Sequence, residues 1–357
     1  MFFYFLIFSC AILFNLRVPK SLEFGLENRN ISLSILSLIL ITFVFGFRYG
    51  FGIDYFSYIE IYDRIGNNWS QEFLEPGFYY LNIITKELNL SVYFIFFISF
   101  FVSFYFISIT INRYSEFPEL SILILFASGL IFFFTSGIRQ SIAISICFYS
   151  FVHFLDRNLM KFSLFLLLAL SFHLSAIIFF PFYFIVRLKP KRFVLLILFI
   201  VSFVLVLFPN LIVGLLENFV NLIFGDRYSK VITSLIEANS RDMGLGLKAI
   251  FMNISLLFVI IFYKKLVADN IGLILTNFFI VGQLSNNIFG GLPDINRLSF
   301  YFSIFDTLFF PYLISRFKNF DFRLTLYVIY FGFFLLLMVR YIHSDVYHAI
   351  PYRSIFD

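Results

Sequence analysis

GFRYGFGIDYFSYIEIYDRIGNNWSQEFLEPGF, residues 46–78, is the stretch that decides how the rest of the chain is read. It is the longest polar interval in an otherwise apolar sequence. Arg48 and Arg64 stand there against five acids, Asp54, Glu60, Asp63, Glu72 and Glu75. Its glycines and the Glu75-Pro76-Gly77 turn predict irregular backbone. The apolar runs around it are mostly about 16 to 21 residues long, close to the roughly 20 that cross a 30 Å hydrocarbon core. The stretch therefore interrupts a membrane pattern and reads as a large loop between spans.

Composition agrees. The 357 residues are 61% hydrophobic and 13% charged, where soluble domains have about 45–50% apolar and about 25% charged residues. In lipid only helices and closed barrels satisfy the backbone, and runs of this length mean helices. The 59 Phe and 21 Tyr fit an AT-rich codon bias, and no function is drawn from them. The net charge of +5 is explained first by membrane topology, so no nucleic-acid partner is expected. Cys10 and Cys147 lie inside apolar runs and read as small buried hydrophobes.

Residues 2–16 read as a retained first helix. Arg17, Lys20 and Arg29 follow it, which puts that connection in the cytoplasm, the N-terminus outside and residues 46–78 outside. Residues 78–88 are too short to span and predict an interfacial helix, so the extracytoplasmic segment runs over 46–90. Further spans are predicted at 91–111, 120–136, 138–155, 194–208, 247–263, 271–289, 298–315 and 324–342. Residues 162–186 admit two readings. One continuous span would carry Arg187, Lys189, Lys191 and Arg192 outside, whereas a hairpin turning at His173 returns them to the cytoplasm, and the basic cluster favours the hairpin. More than half of the 26 Lys and Arg then fall in short cytoplasmic connections. The expected fold is an all-α, polytopic inner-membrane protein of about twelve helices, between roughly eleven and thirteen. It forms one transmembrane domain over 1–357, with a broken helix near His173, a second extracytoplasmic loop over 209–247 and both termini outside.

The chain has no GxxxxGK[ST], GxGxxG, HExxH, CxxC or DxD motif, so neither a nucleotide nor a metal cofactor is expected. A polar set falls on one side of this topology: Arg48, Asp54, Glu75, Arg139, Gln140, His173, Asp294, Arg297, Tyr352 and Arg353. Ionisable residues at membrane depth are costly and usually face a cavity or a partner. Arg139, in SGIRQSIA between two apolar runs, is either an arginine snorkelling at a helix end or a fork for phosphate oxygens. His173 is either a hydrogen-bonded structural residue or a base at a broken helix. Asp54 and Glu75 are capping or site carboxylates. Asp294 and Arg297 are an i, i+3 pair or the head of an anion site. Together they describe an outward-facing, arginine-rich pocket suited to a lipid diphosphate whose tail stays in the bilayer.

Six segments taken in order carry a resemblance: RxGxGxDYxxY from Arg48 to Tyr58, EPGFYYLN from Glu75 to Asn82, GIRQSIA from Gly137 to Ala143, FHxSA from Phe172 to Ala176, NRLSFYF from Asn296 to Phe302, and PYR from Pro351. This order resembles the EpsG family of bacterial polysaccharide polymerases, related in role to Wzy O-antigen polymerases. The resemblance implies a GT-C-like glycosyltransferase of the bacterial inner membrane with its active site on the periplasmic side. It would be metal-independent and would move a growing glycan from undecaprenyl diphosphate to the terminal sugar of another lipid-linked repeat unit. Donor, acceptor and lipid bilayer are the implied partners, with a chain-length-regulating copolymerase as a further one. The reaction needs cations for the departing diphosphate, expected from Arg139 and Arg297 with Arg48 or Arg353. It also needs a base, expected from His173, Asp54 or Glu75. Tyr55, Gln140, Asp294 and Tyr352 are expected to contact substrate. The competing readings are a flippase or transporter of the same lipid-linked oligosaccharide, and a membrane O-acyltransferase acting through His173.

Overall fold

The computed structural model describes residues 2–15, 27–65, 74–208, 246–290 and 293–357, together with Gly214. The expected second loop, 209–247, and the middle of the first, 66–73, lie almost wholly outside the described residues. The described chain is helical. Helices α1 (Phe2–Asn15), α2 (Glu27–Gly46), α3 (Tyr55–Arg64), α4 (Pro76–Glu87), α5 (Val92–Tyr114), α6 (Pro118–Ala127), α7 (Leu130–Ser136), α8 (Ile138–Tyr149), α9 (Phe151–Leu155) and α10 (Leu159–Phe172) come first. A 3₁₀ turn (Leu174–Ile178) and α11 (Phe179–Ile185) follow, then α12 (Arg192–Leu207), α13 (Leu247–Leu266), α14 (Asn270–Phe289), α15 (Asp306–Ser315) and α16 (Phe320–Ser344). Short turns at 293–303 join α14 to α15.

Among the described residues, six helical segments are long and apolar enough to cross a membrane: Val92–Tyr114, Ile138–Leu155, Leu247–Leu266, Asn270–Phe289, Arg297–Ser315 and Phe320–Ser344. Shorter apolar helices lie at Phe2–Leu13, Ile35–Gly46, Leu159–Phe172, Leu174–Ile185 and Arg192–Leu207. Where the sequence predicts one straight span over 120–136, the chain instead bends by 55° between α6 and α7. Gly129 makes the bend. It sits at φ 81°, a left-handed conformation that side chains resist, and a Cβ there would strike the ring of Tyr341.

Two compact units make up the chain, Met1–Tyr183 with Asp306–Asp357, and Phe184–Phe305. In the first, α8 is buried almost all round, its Gln140, Ser141 and Ser145 included. It packs on α5, whose buried residues Phe96, Ser99, Phe100, Ser103, Phe104 and Ile107 recur every three to four positions. Lipid supplies no hydrophobic force between helices, so close backbone approach at small residues does the packing. Ser103 and Ser141 meet that need and return their hydroxyls to the carbonyls of Ser99 (2.8 Å) and Gly137 (2.7 Å).

The chain reverses direction at His173. Phe162, near the start of α10, stacks on Tyr183 of α11 with centroids 4.8 Å apart. A straight helix would separate residues 162 and 183 by about 31 Å. His173 is therefore the tip of a hairpin whose first arm is α10.

The polar stretch is not irregular throughout. Tyr55 and Tyr58 of α3 are buried, and Ile59 and Tyr62 pack beside them, a helical spacing within a segment expected as loop. The C-terminal tail folds onto the segment that precedes α3. Tyr49 N–H donates to Arg353 O (2.9 Å), Gly52 N–H to Tyr347 O (3.0 Å) and Ile355 N–H to Phe47 O (2.9 Å).

The second unit is locked by amides between membrane helices. Asn253 of α13 and Asn287 of α14 exchange two hydrogen bonds, at 3.0 and 2.8 Å, while Asn287 also donates to Ser202 Oγ of α12 (3.1 Å) and accepts from Gln283 (3.0 Å). Replacing Asn287 with Leu strands three partners in an apolar interior and is expected to cost about 1 to 3 kcal/mol. A fall in the thermal unfolding midpoint in detergent, partly recovered in the Asn253→Leu, Asn287→Leu double variant, checks this.

Candidate functional site: a carboxylate shared by a histidine and an arginine

Glu75 lies just before Pro76, the first residue of α4, and a residue before proline is held in the extended region. Its backbone sits at φ −64°, ψ 141°, and its side chain makes no capping bond to the helix. The carboxylate is thereby free to reach outward. Gly77 lets α4 come up against the end of α10: a Cβ there would lie 2.6 Å from Ser171 Oγ and 2.7 Å from Ser171 O. That approach brings Glu75 to the hairpin tip. His173 Nδ1 lies 2.8 Å from Glu75 Oε1, and the N–H of Leu174 points at the same oxygen at 3.4 Å.

The other carboxylate oxygen accepts from Arg139 Nη1 at 2.6 Å. Arg139 is the second residue of α8, placed there by the break at Gly137, and its guanidinium lies over the Phe78 ring at 5.9 Å. The Glu75 side chain is 9% exposed, against 26% for Arg139 and 27% for His173. The carboxylate is thus the covered hub, and the two partners face outward. Burial alone would raise the Glu75 pKa, but the His173 hydrogen bond and the Arg139 charge outweigh it and hold the carboxyl at about 2. An ionised carboxylate only accepts, so the hydrogen between the two groups is carried by His173 Nδ1.

A carboxyl depressed in the folded state adds stability that is complete above its ordinary value of 4.5 and is lost as the pH falls towards 2. The thermal midpoint difference between wild type and Glu75→Gln is expected to be full at pH 7 and to shrink between pH 4.5 and 2.

Tyr58 of α3 lies one helical turn after Asp54, the residue that precedes the helix. Ser136 Oγ, at the end of α7, lies 3.3 Å both from Asp54 Oδ2 and from the Asp54 N–H. Tyr58 is buried, packs edge-on against Phe78 at 5.6 Å, and its hydroxyl is within hydrogen-bonding reach of the Arg139 guanidinium and backbone N–H. Neither Tyr58 nor Ser136 stands out in sequence. The DYxxY spacing was the available signal for Tyr58, since it puts the ring on the same helical face as Asp54.

The structure gives Arg48, expected as a diphosphate ligand, a different setting. It is fully buried, donating from Nε to Phe51 O (3.0 Å), from Nη1 to Phe45 O (2.8 Å) and from Nη2 to Thr135 O, with the Phe96 ring 4.9 Å away. Each guanidinium nitrogen donates to a backbone carbonyl, and the fully buried side chain leaves no face for an anion. Tyr55 is buried against Phe96 in a stack at 4.5 Å. Tyr352 donates to Val44 O at 2.8 Å and stacks on Phe3. Gln140 is buried within α8, and Arg353 is exposed on the tail. Arg297 opens the short turn Arg297–Ser299, and Asp294 lies in the helix Pro293–Asn296, both in the second unit. The structure thus gathers Glu75, Arg139 and His173, with Asp54 bonded to Ser136 Oγ. Among the described residues no three His, Cys, Asp or Glu side chains group as a metal-ion set.

Gly77→Ala is a sharp test of this construction. The added methyl pushes α4 off α10, at an overpacking cost of about 1 to 3 kcal/mol. It is expected to part Glu75 from His173 and to lower the thermal unfolding midpoint in detergent, with protein still present in the membrane by immunoblot.

No curated protein and no solved structure matches the chain. The EpsG family model matches residues 31–354, and the chain belongs to the EpsG family.

Proposed function

We propose that this membrane protein of polysaccharide biosynthesis is the polymerase itself, transferring a growing glycan from undecaprenyl diphosphate to the terminal sugar of a second lipid-linked repeat unit. The observation that carries the reading is Glu75, which holds His173 at 2.8 Å and Arg139 at 2.6 Å. A carboxylate on Nδ1 fixes the imidazole with Nε2 outward, the arrangement that makes histidine a directed base. In the reaction Nε2 takes the proton of an acceptor hydroxyl. The acceptor oxygen bonds to the anomeric carbon, the bond from that carbon to the diphosphate oxygen breaks, and its electron pair leaves with the diphosphate. Cations must meet the charge that develops there. Arg353, exposed on the tail, is assigned to it.

In this reading the long helices, the bent pair and the shorter apolar helices form about twelve crossings in a GT-C-like arrangement. The site faces the periplasm of a bacterial inner membrane. Helix α10 has 14 residues, about 21 Å of rise against a 30 Å core, so a hairpin entering from the cytoplasm ends with His173 below the outer headgroups, within reach of a lipid-anchored sugar.

Cells that depend on this gene for long-chain glycan provide the test. With Glu75→Gln, single-repeat glycolipid is expected on the outer face without a long-chain ladder on gels. A flippase would instead leave lipid-linked units on the cytoplasmic face. Unaltered ladders would refute the site.

A further inference from the structure

Arg139 is held on three sides. Its Nη1 is 2.6 Å from Glu75, the shortest polar contact of the cluster, the Phe78 ring lies 5.9 Å from its guanidinium carbon, and the Tyr58 hydroxyl stands within reach. The charges around it do not favour an anion. The ionised Glu75 carboxylate already faces its guanidinium at 2.6 Å, and a histidine acting as base is neutral and adds no cation. Glu75 holds His173 with one oxygen and Arg139 with the other, so a diphosphate drawing Arg139 away would remove one of the two contacts that fix the carboxylate against Nδ1. Carboxylates and a neutral imidazole are instead the acceptors that sugar hydroxyls need.

From this we infer that the Glu75–His173–Arg139 cluster is the acceptor-sugar half of the site. Arg139 is a positioning residue for Glu75, and the diphosphate is held by cations outside the cluster. The inference rests on the glycosyl-transfer reading and changes the role first expected of Arg139.

The test uses the full-length protein in lipid nanodiscs, with sugar-free undecaprenyl diphosphate as the binding probe and undecaprenyl-diphosphate-linked repeat units as substrate. Arg139→Gln is expected to bind the probe within about twofold of wild type, the loss in chain growth falling on kcat with the donor KM unchanged. Because both residues serve one function, the Arg139→Gln, Glu75→Gln double variant is expected to lose no more than about threefold beyond the weaker single variant. Arg139→Lys, which keeps a cation opposite Glu75, is expected to restore growth to within about tenfold of wild type. Weakening of probe binding by about tenfold or more in Arg139→Gln, or losses that multiply in the double variant, would overturn the inference while leaving the polymerase reading intact. A wild-type protein that neither binds the probe nor extends chains would overturn the polymerase reading itself.

Discussion

Replacing His173 with alanine is expected to lower chain growth by about 10²- to 10⁴-fold, the usual range for loss of a general base, while the protein remains in the membrane. The side chain is 27% exposed and hydrogen-bonds the Glu75 carboxylate at 2.8 Å, so truncation removes little packing. Its backbone, at φ −159°, ψ 121°, is extended and suits alanine, so the hairpin tip stays formed. Glu75→Gln is expected to fall in the same range for a different reason. A neutral amide donates to Nδ1, which places the hydrogen on Nε2 where the base needs its lone pair. Membrane preparations from cells expressing each variant, compared by ladder length at equal protein, measure both effects. Activity within about threefold of wild type in His173→Ala would remove histidine from the chemistry.

Arg48→Met is expected to act on folding. Methionine fills most of the volume but offers no donors, leaving the carbonyls of Phe45, Phe51 and Thr135 buried without the partners they have in the native chain. Each stranded group costs about 1 to 3 kcal/mol, together a large part of the roughly 5 to 15 kcal/mol that holds a folded protein. The expected result is a steep loss of protein from the membrane and a lower thermal midpoint in what remains. Lysine is expected to rescue poorly, since an ammonium on a flexible stem cannot reproduce a planar fork reaching three carbonyls. Had Arg48 been a diphosphate ligand, the variant would be stable and inactive. A stable, inactive Arg48→Met protein would contradict the structural role.

How much of this was legible in sequence depends on the kind of feature. Apolar run length and the rarity of charge gave a helical membrane chain, because both follow from the cost of exposing backbone and charge to lipid. The reversal at His173 was legible from Arg187, Lys189, Lys191 and Arg192, since the returning basic residues restrict the topology to a hairpin. The bend at Gly129 was not, because one glycine in an apolar run looks the same whether or not its φ is positive.

Arg48 and Arg139 show the same limit at the site. Both stand beside glycines near helix ends, and sequence gives each the chemistry of a guanidinium without its direction. Direction is set by what lies across the fold: carbonyls of residues 45, 51 and 135 for one, and a carboxylate 64 positions away for the other. The amide lock of Asn253, Asn287, Gln283 and Ser202 was missed for a related reason. Neutral amides in an apolar helix carry no charge signal, and their pairing appears only once three helices are side by side. Glu75 was recognised as a candidate, but its depressed pKa argues for an orienting carboxylate rather than the base.

The central claim, a Glu75-directed His173 that joins lipid-linked sugars, is tested most directly by chain growth in a purified system. Full-length protein in nanodiscs, supplied only with undecaprenyl-diphosphate-linked repeat units and neither nucleotide sugar nor added metal, is expected to build a ladder of glycan lengths, and the His173→Ala protein none. No ladder from the wild type, or equal ladders from both proteins, would contradict it.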